Sequence, residues 1–325
     1  MSDPAPPAFK DRRAGLILFG ILTIGIGCLC ALFVPLMLWA SMQASRHGGF
    51  PGMPAVLPGV VTYGFLGVAL IWLGAGSILA RRWARALLLI FSWAWLIVGV
   101  FSILTVLILL PGIRDSMNAG QGASASPGVQ MTIFGIMAAF YFAIFLLLPG
   151  VWVFFYQSPH VKATCEARDS VPRWTDRCPL PVLAISLFAF SGAATMLFTA
   201  FAYRGFLPFF GTFLLGIPGG LLSLILAGIW IWAGMAAFRL NPAGWWILLL
   251  SMVLVAVSCF LTYLFHDFAD IYRTMGLPDA EIARMNNHPF VRGRSLAWIS
   301  LLSAIPWIGY LLWIQRYFKQ PPTPA

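Results

Sequence analysis

The sequence predicts an all-α bundle of about eight membrane-spanning helices, and three observations lead there. Of its 325 residues, 60% are hydrophobic and only 9% are charged, where a soluble domain carries roughly 25% charged residues. The apolar residues fall in continuous runs rather than alternating, which favours helices over a membrane barrel. Each run approaches the ~20 residues that cross a hydrocarbon layer about 30 Å thick.

The runs are taken in order. Residues 1–13 are polar and end in Asp11-Arg12-Arg13; they read as a tail. The run from 15 to about 40 is too long for the apolar region of a cleaved signal peptide and reads as an uncleaved first span. Further spans are expected at 58–80, 86–110, 130–156, 179–203, 218–238, 244–266 and 293–316. Residues 205–238 are apolar throughout and too long for one straight span. Pro218, flanked by Gly216, Gly219 and Gly220, is the expected break, which leaves 205–217 in the interface or re-entering the bilayer. Neither end carries a lipidation motif.

An internal match suggests that this bundle is a tandem duplication of a four-helix unit. Residues 69–81 align without a gap onto 227–239, so that Ala69, Ile71, Trp72, Ala75, Gly76 and Arg81 fall on Ala227, Ile229, Trp230, Ala233, Gly234 and Arg239. Pro58-Gly59 opens the second span as Pro218-Gly219 opens the sixth. Ser92, Val98 and Phe101 match Ser251, Val257 and Phe260, and Pro149 falls near Pro306. With four spans per copy, both copies face the same way. The expected organisation is an N-terminal tail (1–13), a first repeat (14–156), a cytoplasmic linker (157–178), a second repeat (179–318) with an outer loop at 267–294, and a C-terminal tail (319–325).

Charge sets the expected orientation. The formal net charge is +10, but the basic residues sit at the ends of apolar runs, as the positive-inside rule places them. That pattern argues against a nucleic-acid partner. Thirteen of the 20 Lys and Arg residues fall on one side: Lys10, Arg12, Arg13, Arg81, Arg82, Arg85, Lys162, Arg168, Arg173, Arg177, Arg239, Arg316 and Lys319. This side reads as cytoplasmic, with both termini on it, in the cell (plasma) membrane.

The search for chemistry is mostly exclusion. None of the ten acidic residues lies in the middle of a span, where an ionisable group marks an ion or proton path. His266 comes nearest, at the outer end of its span. No His-Glu-x-x-His, no paired intramembrane aspartates and no phosphate-binding loop appear. Gly76-Ser77 lacks a nucleophile-elbow context. These exclusions disfavour an enzyme and imply no cofactor.

Some residues remain as candidates. His160, Cys165 and Cys178 are three soft ligands in the linker, but their spacing matches no usual zinc pattern. Cys28 and Cys30 point to different helix faces and read as packing. Arg81, Arg82, Arg85, Arg173, Arg177 and Arg239 are expected at the headgroups, where anionic lipid attracts each positive charge by about 1 kcal/mol. Asp169 and Asp176 are expected to pair with linker arginines. Pro149 and Pro306 each free a carbonyl one turn earlier and are candidate hinges. Small residues, among them Gly25, Gly27, Gly64, Gly67, Gly74, Gly76, Gly192, Ala193, Gly228 and Gly234, permit close helix approach. A short amphipathic helix is expected over 279–286.

Two functional readings follow. One is a non-enzymatic integral membrane protein acting as scaffold, stress-response factor or partner subunit, with a protein partner or a second copy of itself. The other is a transporter of an uncharged or lipid-like molecule without ion coupling. A lipid-directed enzyme acting through 157–178 is a distant third.

Overall fold

The computed structural model describes residues 9–46, 53–119, 127–203, 205–267, 269, 270, 273 and 293–319. The helix expected over 279–286 lies outside them. Among the described residues, eight helices are long and apolar enough to cross a membrane: 13–43, 56–78, 82–104, 135–157, 180–202, 216–238, 242–265 and 296–319. Each lies on an expected span, so the chain is a multi-pass helical membrane protein. It divides into two compact units, Met1–Asp176 and Arg177–Ala325.

In the first unit, α1 (Arg13–Arg46) packs against α2 (Met53–Ile78). Glycines set the distance between them. A Cβ built on Gly74 would lie 2.7 Å from the Gly20 carbonyl, and one on Gly27 would lie 3.0 Å from the Gly67 carbonyl. Pairing 20 with 74 and 27 with 67 makes the helices antiparallel, with backbone against backbone. No hydrophobic force drives helices together in lipid, so this close packing is what holds the pair. The sequence reading found Gly27, Gly67 and Gly74 but missed Gly20, their fourth member.

The fourth span of this unit is α4 (Pro127–Phe142), a π-helical turn (Ala143–Leu147) and α5 (Leu148–Gln157). It packs on α3 (Arg82–Ala119). Pro149 has no N–H to give the Phe145 carbonyl. The chain widens there, and the Leu148 N–H bonds to the Ala143 carbonyl five residues back. The freed Phe145 carbonyl faces α3 at Gly99, where any Cβ would overlap it. Below this point Trp152 is fully buried, edge-on to Trp95 at 5.7 Å.

In the second unit, α7 (Leu180–Ala202) packs on α8 (Gly216–Phe238), and α9 (Pro242–Phe265) on α10 (Gly293–Ile314), with a last turn α11 at Arg316–Lys319. Trp230 sits over Gly192 in a core with Ala193 and Ala227. Asn241 caps α9 by accepting the Ala243 N–H at 2.9 Å and Pro242 follows at the first helical position, a favoured start. The Trp245 indole N–H donates to the Leu311 carbonyl at 2.7 Å, and the Tyr310 hydroxyl to the Pro181 carbonyl at 2.8 Å. These bonds join α9 to α10 and α10 to the start of α7.

The segment expected in the interface or re-entrant is a β-hairpin. Strands β1 (Leu207–Phe209) and β2 (Thr212–Leu214) pair antiparallel, Phe209 opposite Thr212. The turn residues Phe210 and Gly211 both have positive φ, 39° and 93°, as a two-residue type I′ turn requires. Phe210 bears that strain because α9 holds it: its N–H donates to Ser258 Oγ at 3.0 Å, and the Gly211 N–H to Thr262 Oγ1 at 3.1 Å. Backbone that is not helical survives near lipid only where protein satisfies it. The Ser258→Ala, Thr262→Val double variant leaves both N–H groups unpaired, each costing about 1–3 kcal/mol. Faster proteolysis within 205–215 is expected, with the rest of the chain intact; an unchanged cleavage pattern would contradict the pinning role.

The turn joining α2 to α3 has the same form as the turn joining α8 to α9. Ala80 and Leu240 are left-handed, at φ 52° and 58°. Arg81 N–H bonds to the Gly76 carbonyl and Asn241 N–H to the Ala236 carbonyl, each at 2.9 Å. From 71–79 and 231–239, buried and exposed positions alternate identically. This register sets Ala80 on Leu240 and Trp72 on Trp232, two residues away from the gap-free identity match. Trp72 and Trp232 are both about half exposed, at 54% and 47%, whereas Trp230 is at 6%. The expected pairing of Trp72 with Trp230 therefore joins residues in unlike surroundings. Pro58 on Pro218, noted from the sequence, follows the structural register.

Candidate functional site

The densest chemistry lies at one end of the first unit, where 157–176 folds back over the start of α1 and the α2–α3 turn. Ser158 and Pro159 open the short helix α6 (Pro159–Arg168), and a 3-10 turn follows at Trp174–Asp176. The expected linker is thus a structured cap on the first unit. The Arg12 N–H donates to Thr164 Oγ1 at 3.1 Å, and Arg168 reaches Asp11 at 3.2 Å.

Asp169 is the centre of the cap. It is 3% exposed. Arg173 donates to it through Nη2 at 2.7 Å and Nε at 3.1 Å, the Arg82 N–H donates at 3.3 Å, and the Arg81 guanidinium lies at 3.7 Å. The Arg173 bonds hold the Asp169 carboxyl below its ordinary pKa and raise that of Arg173. Around it, Arg82 Nε meets Asp176 at 3.2 Å and Arg82 Nη2 meets Glu166 at 3.6 Å. The Arg173 N–H donates to Asp176 at 2.8 Å. Asp169 does pair with Arg173, as its sequence suggests. Glu166, which the sequence reading left without a role, shares Arg82 and Lys162.

Below this layer, the Ser77 hydroxyl lies 3.0 Å from the Leu16 carbonyl and 2.8 Å from the Tyr156 hydroxyl. With Ser77 donating to the carbonyl, Tyr156 donates to Ser77, and α1, α2 and α5 are tied together. The sequence shows Ser77 only as one small polar residue in an apolar run, without its partner.

The candidate residues are distributed as follows. Arg82 and Arg173 are taken by carboxylates within the cap, and Arg81 is shared with Asp169. Arg177 and Arg239 are exposed. Arg85 is partly buried, and its Nε has no partner among the described residues. His160 is exposed while Cys165 and Cys178 are buried. Burial pushes both thiols up to about 11. No three His, Cys, Asp or Glu side chains among the described residues are placed to hold a metal ion, so His160, Cys165 and Cys178 are not assembled as ligands. The candidate hinges differ as well. Pro149 is buried after a π-turn, whereas Pro306 is exposed within α10.

No family model matches the chain, and neither a curated protein nor a solved structure does.

Proposed function

We propose that this is a non-enzymatic protein of the cell membrane, a scaffold or partner subunit made of two copies of one four-helix unit, with both termini in the cytoplasm. The observation that carries the reading is the state of the charged cap. Its carboxylates are spent on its own arginines and on backbone N–H groups, which suits a structural fastening rather than a reacting centre. Duplication is supported by the two left-handed turns, Ala80 and Leu240, and by the matching burial that precedes each. The cytoplasmic assignment is supported by the bias of basic residues. The unlike surroundings of Pro149 and Pro306 favour this reading over a transporter with matched hinges.

The test places a photo-reactive amino acid in turn at Phe65, Phe154, Phe201 and Ile217, side chains that are 72–81% exposed on four helices. A partner subunit yields a protein adduct, to another protein or a second copy, from at least one position. Lipid adducts from all four would contradict the reading.

A further inference from the structure

We infer that Arg85 and Thr175 form a binding site for a phosphate-bearing anion, at the junction of α3 with the 174–176 turn. Two independent buried groups point to it. Arg85 Nε is shut off from solvent and has no hydrogen-bond partner among the described residues. No carboxylate among the described residues lies within 4.0 Å of its guanidinium, and Glu166 and Asp176 act on it only at longer range. Those two are engaged by Arg82, Lys162 and the Arg173 N–H. Thr175, 4% exposed, also has a buried hydroxyl without a partner among the described residues.

The two residues come from segments packed on each other: the 174–176 turn contacts α3, and Asp176 is bridged to Arg82, one turn before Arg85. Polar groups this buried are almost always paired, and a buried N–H or hydroxyl left without a partner is destabilising. A tetrahedral oxyanion answers both groups, accepting from the Arg85 Nε–H and from the Thr175 hydroxyl.

Arg85 sits in the first turn of a helix long and apolar enough to cross a membrane, and the ends of such spans lie near lipid phosphates. A phospholipid headgroup and free phosphate offer the same chemistry. The headgroup as source rests on the membrane placement above; the anion site itself does not.

The full chain is placed in nanodiscs of phosphatidylcholine alone, of phosphatidylcholine with phosphatidylglycerol, or of phosphatidylcholine with added inorganic phosphate, and thermal unfolding is followed. Wild type is expected to gain several degrees from phosphatidylglycerol, because a ligand that binds only the folded state stabilises it. Arg85→Met should unfold above wild type in phosphatidylcholine, having lost a buried N–H without a partner, and should gain little from the anionic lipid. Thr175→Val should lose part of the gain. Arg239→Gln, which removes an exposed charge elsewhere, should keep it. A gain from phosphate that Arg85→Met abolishes, without one from phosphatidylglycerol, keeps the site and removes the headgroup as its source. Equal gains in wild type and Arg85→Met, no gain in wild type, or Arg85→Met unfolding below wild type in phosphatidylcholine would overturn the inference.

Discussion

Gly74→Leu is expected to separate α1 from α2. Even a Cβ at this position meets the Gly20 carbonyl at 2.7 Å and the Ile24 N at 3.0 Å. These are backbone atoms, which cannot swing aside as a side chain can. Overpacking a close interface typically costs about 1–3 kcal/mol and occasionally more, and a collision with backbone belongs at the upper end. The loss should appear as a lower thermal midpoint in detergent. Gly25→Leu is the control, because nothing lies within 4 Å of its would-be Cβ. Equal stability of the two variants would remove the glycine seam as the source of this pairing.

Asp169→Ala should release the cap from the membrane helices. The substitution leaves the Arg82 N–H without its acceptor and Arg173 and Arg81 without their carboxylate. The orphaned N–H alone accounts for about 1–3 kcal/mol. The pH dependence has a definite sign. The folded-state pKa of Asp169 is depressed below its ordinary value of 3.8, first by the Arg173 hydrogen bonds. Its contribution is therefore fully present above that ordinary value and is lost as pH falls through the lower folded pKa. Wild type should be level in this term from neutral pH down to about pH 5 and weaken only in strong acid, and Asp169→Ala should lack that acid-dependent loss. Wild-type stability falling steeply near pH 6 while Asp169→Ala stayed flat would contradict the assignment.

The helices were legible because lipid imposes a single demand, a run of apolar residues long enough to cross it, and each run here meets it alone. The charged cap was legible only in part. Its arginines stand out as headgroup residues at the ends of spans, yet the linear pattern does not say that Glu166, Asp169 and Asp176 return to neutralise them. That depends on a chain reversal over 157–176, which brings Asp169 to a turn 87 residues earlier. The hairpin was hidden for another reason. Leu207 to Leu214 is apolar, like its neighbours, and its strand character comes from the Phe210-Gly211 turn and from Ser258 and Thr262 on a later helix. The likeness of the two turns was not visible either. The identical Trp and Gly residues align two positions away from it, and the turns at Ala80 and Leu240 have no sequence in common. Such a turn is specified by backbone hydrogen bonds, which many side chains permit.

The direct measurement of the account is a topology map of the intact chain in its membrane, with reporters or single modifiable cysteines at Ser170, at Asp279 and after Ala325. Two four-helix units of the same orientation place Ser170 and Ala325 together on the cytoplasmic side and Asp279 on the opposite side. Ser170 and Ala325 on opposite sides of the membrane, or Asp279 on the same side as both, would contradict it.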